Sequence, residues 1–138
     1  MHIKLSERLT KNQLNKLDCL STINGINFYW LNDTDPEFYA INRDEIVIAR
    51  FEFVQVDELQ FAHMHVSQEY QNQGIGKEIM RHAVEIHGYF LLPSIDPNAS
   101  YHYEGNGLQF IRSCFEDQIL TSPPFEHPDS DDLNYMEG

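Results

Sequence analysis

The sequence predicts an α/β fold of the α+β kind, in which three antiparallel strands are followed by a glycine loop and amphipathic helices. Three observations predict it. The stretch "FYAINRDEIVIARFEFVQVDELQFAHMHV" is rich in β-branched and aromatic residues and is broken only by polar turns at 42–45 and 57–58, which yields three antiparallel strands near 37–41, 45–55 and 59–66. Residues 76–87 then set Ile79, Met80, Ala83, Val84 and Ile86 on one side at helical spacing, with Gly88 as a stop. Between strand and helix lies "EYQNQGIG", with Gly74 and Gly76 two residues apart. At 138 residues, with no repeat and no long linker, the chain reads as a single domain over 1–138.

The remaining elements follow in order. "HIKL" at 2–5 reads as a short strand. Residues 10–20 read as a helix: Thr10 and Gln13 have capping-box spacing, and Leu14, Leu17 and Leu20 follow at helical intervals. Asp35-Pro36 marks a turn, and "NFYW" before it reads as core. "YFLL" at 89–92 reads as a short buried strand closed by Pro93, and 93–105, rich in Pro, Ser, Asn and Gly, as a loop. "GLQFIRSCF" at 107–115 reads as an amphipathic helix, and "LNYM" in the acidic tail as a last strand.

The net charge of −13 argues against nucleic acid, which needs clustered cations; the nine Lys and Arg are spread along the chain. The acidity fits either solubility or a cationic partner, an amine or a basic protein surface. No apolar run reaches the roughly 18 residues of a membrane span. The N-terminus lacks an apolar signal core, so the expected compartment is the cytoplasm. Cys19 and Cys114 stand far apart and read as two reduced thiols. The spacing of the histidines and of the acidic tail matches no metal signature.

A helix start leaves backbone N–H groups unpaired and carries partial positive charge. With glycines before it, such an end is open to phosphate. The spacing matches neither a P-loop nor a dinucleotide loop. A plain strand–helix turn is the competing reading.

"HMHVSQEYQNQGIGKEIM" resembles the acetyl-coenzyme A motif of the GNAT superfamily of N-acetyltransferases. Met64, Val66, Tyr70, Gln71, Gly74, Ile75 and Gly76 stand in register with that motif, while Gln68 stands where Pro is common and Gln71 where Arg is common. "EIVIARFEF" also resembles the family's third strand. The resemblance implies a mixed, mostly antiparallel central sheet flanked by helices on both faces and opened into a V between 59–66 and 89–92. It implies acetyl-coenzyme A as cofactor, its pyrophosphate on the amides of Gln71, Asn72, Gln73, Gly74, Ile75, Gly76 and Lys77. Its pantetheine arm would lie on the strand edge Met64, His65 and Val66. The implied reaction is transfer of acetyl to a primary amine, cationic before reaction and either small or part of a protein, by a monomer or homodimer. A cofactor-binding module without catalysis, or a protein-modifying effector of toxin or phage type, is the alternative.

Family members deprotonate the amine with a carboxylate, His or water chain and often return a proton to the thiolate from a Tyr. In "QFIRSCF" the position of that Tyr is Phe110, which has no proton to give, and Cys114 stands where Gly is usual. Tyr103, or Tyr101 just upstream, is the replacement the sequence offers. For the base it offers His63 and His65, which share a strand face, and Glu58; imidazole titrates near neutral pH.

Overall fold

The computed structural model describes residues 3–129. Five strands form one antiparallel sheet in chain order: β1 (Asp18–Ile23), β2 (Ile26–Leu31), β3 (Glu37–Ile41), β4 (Val47–Gln55) and β5 (Leu59–Val66). Three helices accompany them: α1 (Lys11–Asn15), α2 (Ile75–His87) and α3 (Gly107–Glu116). Strands β3, β4 and β5, the loop after β5, and both later helices lie where the residue pattern sets them.

The N-terminal third departs from its pattern. Thr10 and Gln13 do form the capping box, but α1 ends at Asn15 and residue 18 already begins β1. Leu14 and Leu17 pack into a cluster with Ile3, Leu9, Tyr39, Ile41 and Val47 on one sheet face, while Leu20 packs against the larger core on the other. The even leucine spacing is therefore shared between two cores, and a single helical stripe over 10–20 does not exist. The β1–β2 hairpin turns at Asn24-Gly25, both at positive φ, with Ile23 paired to Ile26. Asn-Gly between alternating apolar residues is the strongest short hairpin signal a sequence offers. A Cβ on Gly25 would also run into the Arg43 side chain. Described residues 3–5 form no strand; Ile3 is simply buried, and the next residues meet the sheet through Ser6 N–H to Val47 O at 2.8 Å, Val47 N–H to Glu7 O at 2.9 Å and the isolated bridge of Arg8 to Ile46. "LNYM" lies outside the described residues.

The larger core joins α2 and α3 to the sheet through Phe28, Phe38, Phe51, Phe53, Phe61, Ile79, Met80, Phe90 and Ile111. His87, at the end of α2, stands among Trp30, Phe38 and Phe53 at ring-centroid distances of 6.1, 5.9 and 5.9 Å. Its Nε2 is buried without a partner, and burial holds its pKa below the ordinary 6.5. The unfolded chain therefore binds more protons at His87 than the folded one. Its neutral-state stabilisation is complete above about pH 6.5 and is lost as pH falls from there through the lowered folded value. Thermal melts between pH 7.5 and 5 should show Tm falling faster for wild type than for His87→Phe, which keeps the ring and loses the titration. Equal slopes would mean that His87 charges as freely when folded as when unfolded.

Candidate active site

Two features shape the outer edge of β5. Glu52 pairs with His63 while Phe53 pairs with Phe61, so Ala62 is an extra, bulged residue. Segment 89–92 meets β5 through one parallel bridge, Gln60 to Leu91, rather than as a full strand. Leu91 N–H donates to Leu59 O at 2.8 Å, and Phe61 N–H donates to Leu91 O at 3.0 Å. The next rung would need an N–H from residue 93, which is proline and has none. From Phe61 onward the two edges part, and this opens the V.

Beyond the apex, Ser67 N–H turns inward to Ile48 O at 2.8 Å. By strand alternation Val66 and Met64 therefore turn their backbone groups outward, and His65 turns its own toward β4. The Val66 carbonyl accepts from Gln71 Nε2 at 3.1 Å. The edge runs directly into the loop. A short 3₁₀ turn spans Gln68–Tyr70, Asn72 takes φ 63°, and Gly74 caps α2 at φ 80°. The N–H groups of residues 72–77 donate to no acceptor among the described residues.

The two glycines differ in role. A Cβ on Gly74 would meet nothing within 4 Å, so this residue is open and is required for its left-handed backbone. A Cβ on Gly76 would lie 3.1 Å from Phe110 Cε1 and 3.5 Å from Phe51 Cζ, so this residue lets α3 approach α2. Lys77 Nζ pairs with Asp117 Oδ2 at 2.5 Å at the end of α3. Its charge is shared with that carboxylate. On the flank of α2 away from α3, a cleft of about 580 Å³ lies between the loop and the β1–β2 turn, lined by Gly25, Phe28, Arg43, Tyr70, Gly74 and Glu78 among others.

On the sheet face opposite α2, His63 and His65 stand exposed, ring centroids 6.3 Å apart. The bulge makes this possible: it turns Phe61 into the core and His63, two residues on, to the other face. His63 stands across from Glu52, and His65 across from Arg50. Arg50 reaches Glu37 through Nε at 3.2 Å and Nη2 at 2.8 Å and also contacts Glu52. Glu37, Arg50 and Glu52 were not among the residues expected here. The signal for Arg50 and Glu52 is the alternate polar positions within the otherwise apolar "VIARFEF", while Glu37 opens β3 and gives no such signal. Glu58 is exposed in the β4–β5 turn, on the far side of the Phe61–Leu91 rung from His63.

The two tyrosines are held differently. The Tyr101 hydroxyl reaches the apex, 2.5 Å from Phe61 O and 3.0 Å from Leu91 O, and its proton is committed to those carbonyls. The Tyr103 hydroxyl is buried without a hydrogen-bond partner, its ring against Gly107 and the core. Burial raises both phenols above the usual value of 10, which makes either a poorer proton donor.

An outward-facing strand edge that leads into amides at a helix start is a geometry that suits an extended ligand with an anionic end. The chain belongs to the GNAT acetyltransferase family: the model of the acetyltransferase (GNAT) domain matches residues 34–108, and the protein is an acyltransferase. The match spans β3, β4, β5, the loop, α2 and the apex with Tyr101 and Tyr103. No curated protein and no solved structure matches it. Among the described residues, no helix is long and apolar enough to cross a membrane.

Proposed function

We propose that this chain, acting as one domain in the cytoplasm, transfers acetyl from acetyl-coenzyme A to a primary amine. The observation that carries this reading is the continuity of the outward-facing edge at Met64 and Val66 with the unpaired amides of 72–77. The edge would pair with the amides of the pantetheine arm. The loop would hold the pyrophosphate through N–H groups and the helix dipole. The coenzyme supplies the activated thioester, and a backbone N–H near the Ala62 bulge would polarise its carbonyl. The unpaired thiols of Cys19 and Cys114 agree with a reducing compartment.

His63 is the base this geometry supports best. It stands one residue past the bulge, on the face that carries Glu37 and Glu52, and His65 stands two residues farther from the apex. The two carboxylates against one Arg leave this patch negative, which suits an ammonium acceptor. The amine would lose its proton to His63 and then attack the carbonyl carbon; as the tetrahedral species collapses, the C–S bond breaks and the extra proton on the nitrogen passes, directly or through water, to the departing thiolate.

The buried, unpartnered phenol of Tyr103 supports a packing role. Tyr103→Phe should keep kcat within about threefold and hold or raise Tm, since an unpaired buried hydroxyl costs about 1–3 kcal/mol. A fall of a hundredfold at unchanged acetyl-coenzyme A affinity would return it to the role of acid.

Thiol release from acetyl-coenzyme A against a panel of amines and basic peptides tests the function. Turnover with a cationic acceptor, falling as salt rises, is expected. Binding without thiol release from any acceptor would mark a cofactor-binding module instead.

A further inference from the structure

The splayed edge leaves one acceptor to be satisfied. Phe61 O faces the position where residue 93 would donate, and Pro93 cannot. Tyr101 fills that place from a different part of the chain. Residues 94–103 form a compact excursion: Ser94 N–H donates to Tyr101 O at 2.9 Å, and Tyr103 N–H donates to Ser94 O at 3.2 Å. The Asp96 side chain accepts from Asn98 N–H at 2.9 Å within it. This excursion returns the Tyr101 phenol to the point where β5 and segment 89–92 separate, between Phe61 O and Leu91 O.

We propose that Tyr101 is the floor of the acyl channel and determines the length of acyl group the enzyme accepts. The inference rests on the acetyl-coenzyme A reading above. An extended arm held along Val66 and Met64 is led toward Ala62 and then Phe61, about 16 Å at about 3.3 Å per strand residue. At the end of that path the phenol occupies the space between the two edges. A two-carbon acyl group stops above it; each further methylene must displace a ring anchored by hydrogen bonds to both edges. One methylene in a fitted pocket discriminates by about 10- to 200-fold.

The test is kcat/KM of the full-length protein for acetyl-, propionyl- and butyryl-coenzyme A with one amine, in wild type, Tyr101→Phe, Tyr101→Leu and Tyr101→Ala. Wild type should prefer acetyl by at least tenfold over propionyl. In Tyr101→Leu or Tyr101→Ala the propionyl-to-acetyl ratio should rise at least tenfold, while affinity for free coenzyme A, which carries no acyl group, stays within about threefold. Tyr101→Phe keeps the ring and folds most readily; it should keep the acetyl preference. If Tyr101→Ala fails to fold, Tyr101→Leu carries the test, since it fills the site with a smaller apolar side chain. A merely structural Tyr101 would lower all three substrates together, and an unmoved ratio in a folded variant overturns the proposal. A wild type that turns over none of the three thioesters overturns the acetyltransferase reading itself and this proposal with it; turnover with an unmoved ratio overturns Tyr101 alone.

Discussion

Gly74→Glu is expected to raise the Kd for acetyl-coenzyme A by a hundredfold or more in a protein that remains folded. Gly74 holds φ 80° at the cap of α2, and a side chain there meets nothing within 4 Å. Its new carboxylate has room, so the fold bears only the strain of a left-handed backbone, about 1–2 kcal/mol. The carboxylate would sit at the positive end of α2, among the unpaired amides proposed to hold the pyrophosphate. Loss of those contacts and like-charge repulsion together amount to about 3 kcal/mol or more, which is the hundredfold. Gly76→Asp is the informative contrast. Its side chain would point at Phe110 and Phe51 rather than at the ligand, placing a carboxylate against two rings. A buried charge without a partner destabilises strongly, so Gly76→Asp should lower Tm steeply. Calorimetric titration and thermal melts of the two variants decide the matter. Undiminished binding by a folded Gly74→Glu would rule out the loop as the pyrophosphate site.

His63→Ala should lower kcat by about 10²- to 10⁴-fold with acetyl-coenzyme A affinity unchanged, the loss typical of removing a working base. Its side chain is exposed, so little stability is at stake. His65→Ala, on the same face but farther from the apex, should stay within about threefold of wild type. If the two variants lose equal rate, the proton goes elsewhere, with the Glu37–Arg50–Glu52 patch or a water as the next candidates.

Much of this protein was legible in its residues. The strands of 37–66, the loop and α2 lie where β-branched runs, polar turns and helical spacing put them, because these signals are local to each element, even though β3 and β4 supply residues to both cores. The GNAT motif was legible for the same reason: its glycines and strand residues are adjacent in sequence. The failures have equally local causes. Leu14, Leu17 and Leu20 look like one stripe but are divided between two cores. "YFLL" looks like a strand, yet Pro93 stops its ladder after a single bridge. The Asn24-Gly25 hairpin carries a local signal of its own, just past the leucine spacing that reads as helix.

By itself, then, the sequence determined the central sheet, the helix-start loop and the family, since those depend on neighbours within a few residues. Tertiary structure alone separated Gly74, open to a ligand, from Gly76, pressed against Phe110. It also turned Tyr101 from a candidate acid into a wedge between two carbonyls, and it brought Glu37, Arg50 and Glu52 beside His63. Each of these depends on groups that meet only after the chain has folded. Residues 40 positions apart supply the Tyr101–Phe61 hydrogen bond. A one-residue bulge at Ala62, which no composition rule announces, decides which side of the sheet the histidines face.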